Sequence, residues 1–133
     1  MNLADRASDY LNRGIREIAG PSSHPQILVW IRRCERDWPT DIPVDDSRYS
    51  WCGVFVGNLV LDAIAAGEKL PRPPRYFQRA ISWAGWGQRV QLHLAARGDV
   101  VVLTRPGGHH VAIVEAVTLT GVNVIGGNQS DAV

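Results

Sequence analysis

The chain lacks any long apolar run. Of its 133 residues 45% are hydrophobic, yet the most apolar stretch, after Cys52, is interrupted by Gly53, Gly57, Asn58 and Asp62. It therefore falls short of the roughly 20 apolar residues a membrane-crossing helix needs. The opening segment MNLADRASDYLNRGIREIAG mixes acidic, basic and apolar residues, so it has neither the basic leader nor the apolar centre of a secretory signal. These two absences predict a soluble protein, cytoplasmic at synthesis, with no membrane insertion. Charge of one sign is also scarce: the formal net charge is +1 and the pI about 7.9. Nucleic-acid binding usually calls for a concentrated basic face, so no nucleic-acid partner is expected.

Cysteine is rare, with only Cys34 and Cys52. Without an export signal the pair is expected to stay reduced, which leaves both thiols for packing or chemistry. Paired metal spacings such as CxxC and HxxxH are missing. His24, Cys34, Cys52, His109 and His110 supply ligand types, but adjacent histidines on a strand face opposite ways. No metal and no cofactor is expected. Internal repeats and low-complexity tracts are absent too.

What is present has the size and composition of one compact domain spanning residues 1–133, with a monomer favoured. Ala7, Tyr10, Leu11, Ile15 and Ile18 recur at helical steps, predicting a helix from Ala4 to Ile18 that ends at Gly20-Pro21. A second helix is expected after Ser23, with Pro25 in its first turn, Ile27, Leu28, Ile31 and Cys34 on its apolar face, and Trp38-Pro39 at its end. PTDIPVDDSRYS reads as a loop. Cys52, Phe55, Val56, Leu59, Val60, Ala63 and Ile64 then repeat at helical spacing up to Gly67, marking the most apolar and most central helix. KLPRPPRYF reads as a rigid loop and QRAISWAGWG as at most a two-turn helix. From Gly98 onward GDVVVLTR, HHVAIVEAV and GVNVIGGN are β-branched runs, which predicts three antiparallel strands with hairpins at Pro106-Gly107-Gly108 and near Thr120-Gly121. Helices first and strands second imply an α+β layer, with the helices packed on a small antiparallel sheet.

One constellation carries chemistry. A thiol attacks as thiolate, and the first turn of a helix favours the anion through its unpaired N–H groups and dipole. The predicted helix puts Cys52 in that turn. Taken alone, a cysteine beside Val54 and Phe55 also reads as a small buried hydrophobe. Activation requires a base, and His109 and His110 open the middle strand. Alternation gives His110, Ala112 and Val114 one face and His109, Val111 and Ile113 the other, so only one of the two histidines can point at the helix. The small Ala112 would leave room beside His110 for a helix terminus and a substrate. A histidine base is normally oriented by a third polar group. Asn128 in the GGNQ that follows the last strand is placed for this, with Gln129 and Asp131 as substitutes.

These motifs, WCGVFVGNLV, ISWAGWG, GDVVVLTR, GGHHVAIVE and VIGGNQSDAV, together with EIAGPSSHPQIL, resemble the CHAP-like branch of the NlpC/P60 superfamily. The resemblance runs from about Gly14 to the end and is closest to small single-domain proteins of phages and prophages. It implies a papain-like fold and a cysteine peptidase or amidase acting on bacterial peptidoglycan. Carried over, Cys52 is the nucleophile, His110 the base and Asn128 the orienting group. His110 is preferred to His109 because the family pattern is Gly-His, then an apolar and a small residue, matched here by His110-Val111-Ala112. Two departures stand out. Trp51 replaces the polar residue that often precedes the cysteine, which leaves the Cys52 backbone N–H for the oxyanion. The chain also ends at Val133, where similar proteins continue with a closing strand.

The resemblance fits a phage endolysin and equally a secreted antibacterial amidase effector, either one acting on the wall after release or delivery. Trp51, Trp83 and Trp86 are candidates for the floor of a substrate groove. Arg72, Arg75 and Arg79 are either a solvated basic loop or contacts for stem-peptide carboxylates. A competing expectation is a non-catalytic wall-binding or phage structural module on the same fold; another is a transferase with the same dyad.

Overall fold

The computed structural model of the chain describes residues 2–15, 25–37, 51–105 and 108–127. Helix α1 (Leu3–Asn12) is started by a reciprocal cap: the Asn2 side chain accepts from the Asp5 N–H and the Asp5 carboxylate accepts from the Asn2 N–H, each at 3.0 Å. Two otherwise unpaired N–H groups are satisfied in this way. The apolar spacing predicts a longer helix, but Gly14 adopts φ of 67°, the left-handed conformation in which glycine ends helices without steric cost. Ile15 then turns back into the core, and residues 16–18 lie outside the described residues.

Helix α2 (Pro25–Asp37) begins on proline, whose missing N–H costs nothing at a first helical position. Its Ile27, Trp30 and Ile31 are buried and Arg32 is exposed. The packing role expected of Cys34 concerns a side chain outside the described residues. Helix α3 (Cys52–Ala65) is buried from Cys52 through Leu61 and again at Ala63. A helix apolar on nearly every face must be surrounded. It packs on α1, on α2 and on the sheet, while Gly53 and Gly57 admit the segment Phe77-Gln78 against a further side. Gly67, at φ of 94°, closes the helix as Glu68 N–H bonds the Ala63 carbonyl at 3.0 Å.

Strands β1 (Val100–Arg105), β2 (Gly108–Val117) and β3 (Val122–Ile125) form an antiparallel sheet in the order β1-β2-β3. Leu103 pairs with His110, Thr104 with His109, and Ile113 with both Val100 and Ile125. The β2–β3 register shifts between Val114 and Ala116, a bulge that bends the strand. Thr118 closes the second hairpin, its N–H and hydroxyl both donating to the Gly121 carbonyl. The first hairpin's Pro106-Gly107 lies outside the described residues.

The architecture is a small α+β domain of helices and a three-stranded antiparallel sheet, as the segregated order of patterns predicts. QRAISWAGWG forms a 3-10 turn, Ala80–Gly85, and a second such turn, Leu92–Leu94, had no periodic signal. The first of these packs on β1 and β2, and α1 packs on β2 and β3. Among the described residues no helix is long and apolar enough to cross a membrane.

Candidate active site

Cys52 is the first residue of α3. Trp51, its N-cap, makes no side-chain capping hydrogen bond, and its carbonyl accepts from Phe55 N–H at 2.9 Å. The first-turn N–H groups are therefore not capped by the preceding side chain, and the positive end of the helix dipole lies at Cys52. Cys52 as a residue is 2% exposed.

Helix α3 packs against β2, and β2 carries both histidines near its start. His110 is buried, 5% exposed, with its Nδ1 sealed from solvent. His109 is only partly buried, and its Nδ1 lies 3.4 Å from the Thr104 hydroxyl across the strand pair. Alternation along β2 puts His110 with Ala112 and Val114, both buried, and His109 with Val111 and Ile113. Val111 and Ile113 share one continuous apolar cluster with Cys52. Burial thus singles out His110, whereas shared facing with that cluster favours His109.

Asn128, Gln129 and Asp131, the candidate orienting groups, lie outside the described residues, as does His24. Gly127 is buried so closely against Phe55 and Trp51 that a Cβ there would come within 2.6 Å of Phe55 Cβ and 2.8 Å of the Trp51 ring. The residue before Asn128 therefore rests on the first turn of α3.

Two of the three tryptophans named as candidates for a groove floor are core residues. Trp51 is fully buried, its ring 6.2 Å from that of Trp30. Trp83 is 2% exposed, and its indole N–H donates to the Phe77 carbonyl at 2.9 Å. Neither presents surface to a ligand. Trp86 is only partly buried, stacks edge-on against Trp83 at 5.2 Å, and donates its indole N–H to the Arg72 carbonyl at 2.9 Å. These indoles tether the loop before the 3-10 turn.

That loop carries Arg75 and Arg79 beside a strained Tyr76 and a buried Gln78. Tyr76 has φ of 56° and, among the described residues, is the one non-glycine with positive φ. The guanidinium carbons of Arg75 and Arg79 lie 5.0 and 5.7 Å from the centre of its ring. Gln78 is polar yet buried, and its backbone lies against Gly53, the residue after Cys52. The available signal was the Gly53/Gly57 pair, two small residues one turn apart in a helix of bulky ones, which marks close approach by another segment.

Among the described residues no group of three or more His, Cys, Asp or Glu is arranged to hold a metal ion. No family model matches the chain, and neither a curated protein nor a solved structure matches it.

Proposed function

We propose that this chain is a cysteine peptidase or amidase that hydrolyses an amide bond of bacterial peptidoglycan. One observation carries the reading: Cys52 opens the central helix, and that helix packs on the strand in which His110 is buried. In the proposed mechanism the Cys52 thiolate attacks the amide carbonyl carbon, giving a tetrahedral oxyanion that the Cys52 N–H helps to hold. His110, having taken the thiol proton, returns it to the leaving nitrogen, and the C–N bond breaks to leave a thioester. His110 next deprotonates water, which attacks the thioester and releases the acid and the free thiol. Asn128 orients the imidazole. The chemistry calls for no metal or cofactor, and a phage endolysin or a delivered antibacterial effector would each use it on the wall.

The test is mass spectrometry of soluble products from purified sacculi incubated with wild type and with Cys52→Ala. Fragments released by the wild type alone support the reading, and their new termini name the bond. A well-folded wild type that releases nothing from several wall types overturns it.

A second reading, a non-catalytic wall-binding module, draws support from the burial of Cys52, because buried thiols in apolar surroundings are inert. Iodoacetamide separates the two. Fast, pH-dependent alkylation of Cys52 in the folded protein favours the enzyme, and inertness under the same conditions favours the module.

A further inference from the structure

The 3-10 turn Ala80–Gly85 touches both elements of the proposed site: it packs on β2, the strand of His110, and on α3, the helix of Cys52. Its Trp83 is buried, and the indole N–H donates to the Phe77 carbonyl at 2.9 Å. The same carbonyl oxygen lies against Gly53, where a Cβ would overlap it, and the carbonyl group of Gln78 is within 2.7 Å of that Cβ position. A Cβ on Gly57, one turn later, would overlap the Phe77 ring. Glycine weakens a helix relative to alanine, and its use here is the close approach of another backbone. Where side chains separate two elements, rotamer changes absorb a small shift. With no side chain at Gly53, a shift of the Phe77 peptide passes into the first turn of α3, because close-packed interiors transmit strain. That peptide follows Tyr76, whose φ of 56° is a conformation a non-glycine residue keeps only where its surroundings impose it. The indole bond to the next carbonyl is one such restraint.

We propose that Trp83 is a positioning residue for the Cys52–His110 pair: its indole N–H fixes the Phe77 carbonyl and, through Gly53, holds the first turn of α3 at its working distance from β2. This rests on the hydrolase reading and adds a residue to it. Trp83 is buried, so it acts through Phe77 and not on the substrate. What it controls is where the Cys52 thiol and N–H stand. A displacement of about 1 Å between reacting groups costs on the order of 10²-fold in rate. Substrate binding away from the reacting atoms is untouched by such a shift, so the loss falls on kcat and spares KM.

The test replaces Trp83 with benzothienylalanine, which keeps the shape of the indole and puts sulfur where the N–H was. Packing is preserved and the hydrogen bond alone is removed. Turnover is measured on soluble muropeptides cut from sacculi by a muramidase. The isostere is expected to lower kcat about tenfold, a fraction of the cost of a full displacement, and to keep KM within about twofold of wild type. Backbone NMR is expected to show the amides of Cys52 and Gly53 shifted. Trp83→Phe, which also opens a cavity, should give the same split when compared at equal fraction folded. Asn2→Ala removes the cap of α1 and lowers the urea midpoint without touching this contact, so its kcat per folded molecule should equal that of wild type. A wild-type kcat in the isostere, a loss shared between kcat and KM, or an equal loss in Asn2→Ala would overturn the positioning role. The two readings fail separately. If wild type turns over muropeptides and the isostere matches it, the positioning role alone is lost. If wild type releases nothing from several wall types, the hydrolase reading is lost and the positioning role goes with it.

Discussion

Gly53 and Phe77 meet backbone to backbone: a Cβ on Gly53 would overlap the Phe77 carbonyl and come within 2.7 Å of the carbonyl group of Gln78. Gly57, one turn later, meets the Phe77 ring in the same way. The first turn of α3 and the loop before the 3-10 turn are thus locked at a separation only glycine permits. Gly53→Ala is expected to destabilise the protein by about 1–3 kcal/mol, the usual cost of overpacking when backbone must move. The urea midpoint should fall with little change in slope. An unchanged midpoint would show that the loop moves freely away from α3.

Tyr76 offers a test in which backbone strain and ring contacts move apart. Replacing it with glycine relieves the left-handed strain at φ of 56° but removes the ring that gathers Arg75 and Arg79. Tyr76→Gly is expected to melt at or above the wild-type temperature. Tyr76→Ala should be less stable than the glycine variant by about 1 kcal/mol, because it keeps the strain. A glycine variant that melts well below wild type would make Tyr76 a structural residue whose ring matters more than its backbone.

The three strands, α2 and α3 were legible because their apolar spacing is periodic and bounded by turn residues. The end of α1 was misplaced because Ile15 continues the helical spacing while serving the core from beyond Gly14; periodicity reports which residues are buried, not whether the chain between them is helical. The 3-10 turns were less visible, since three to six residues give no period to read. For the site, sequence located Cys52 at a helix start and the histidines at a strand start. It left Trp51 and Trp83 between groove and core, since their size and polar N–H suit both; their burial against the Trp30 ring and the Phe77 carbonyl shows them in the core. The clustering of Arg75 and Arg79 on Tyr76 depends on a backbone conformation that no residue type announces.

Acid sensitivity should pass through Asp5. The Arg97 guanidinium, with further help from the Asn2 N–H, holds its carboxyl below the ordinary value. A carboxyl held low in the folded state binds fewer protons than in the unfolded chain. Its stabilisation is therefore fully present above the ordinary carboxylate value near 4 and is lost as pH falls through the folded value. Asp5→Asn should lower the urea midpoint at pH 7, and its deficit relative to wild type should shrink by pH 3. A deficit that stays constant with pH would mean that the charge of Asp5 contributes nothing, since both its pairing with Arg97 and its acceptance from the Asn2 N–H weaken when the carboxylate is protonated.

The two histidines give the sharpest test of the proposed mechanism, because burial points to one and strand facing to the other. His110 is closed off from solvent as a base working in a water-excluded site would be. His109 shares its face with Val111 and Ile113, which belong to the cluster holding Cys52. Removal of a general base commonly costs about 10²–10⁴-fold in rate. His110→Asn is expected to lose wall-fragment release by such a factor and to flatten the pH dependence of Cys52 alkylation near neutrality. His109→Asn should change both by no more than a few fold, because the hydrogen bond it loses among the described residues is the exposed one to Thr104. The alkylation readout matters because a buried histidine can also be structural. If His110→Asn unfolds the protein, the milder His110→Gln, compared with wild type at equal fraction folded, still reports whether the thiol's pH profile depends on that ring. The opposite pattern, with His109→Asn silencing both readouts, would assign the base to His109 and turn β2 over relative to the family-based expectation.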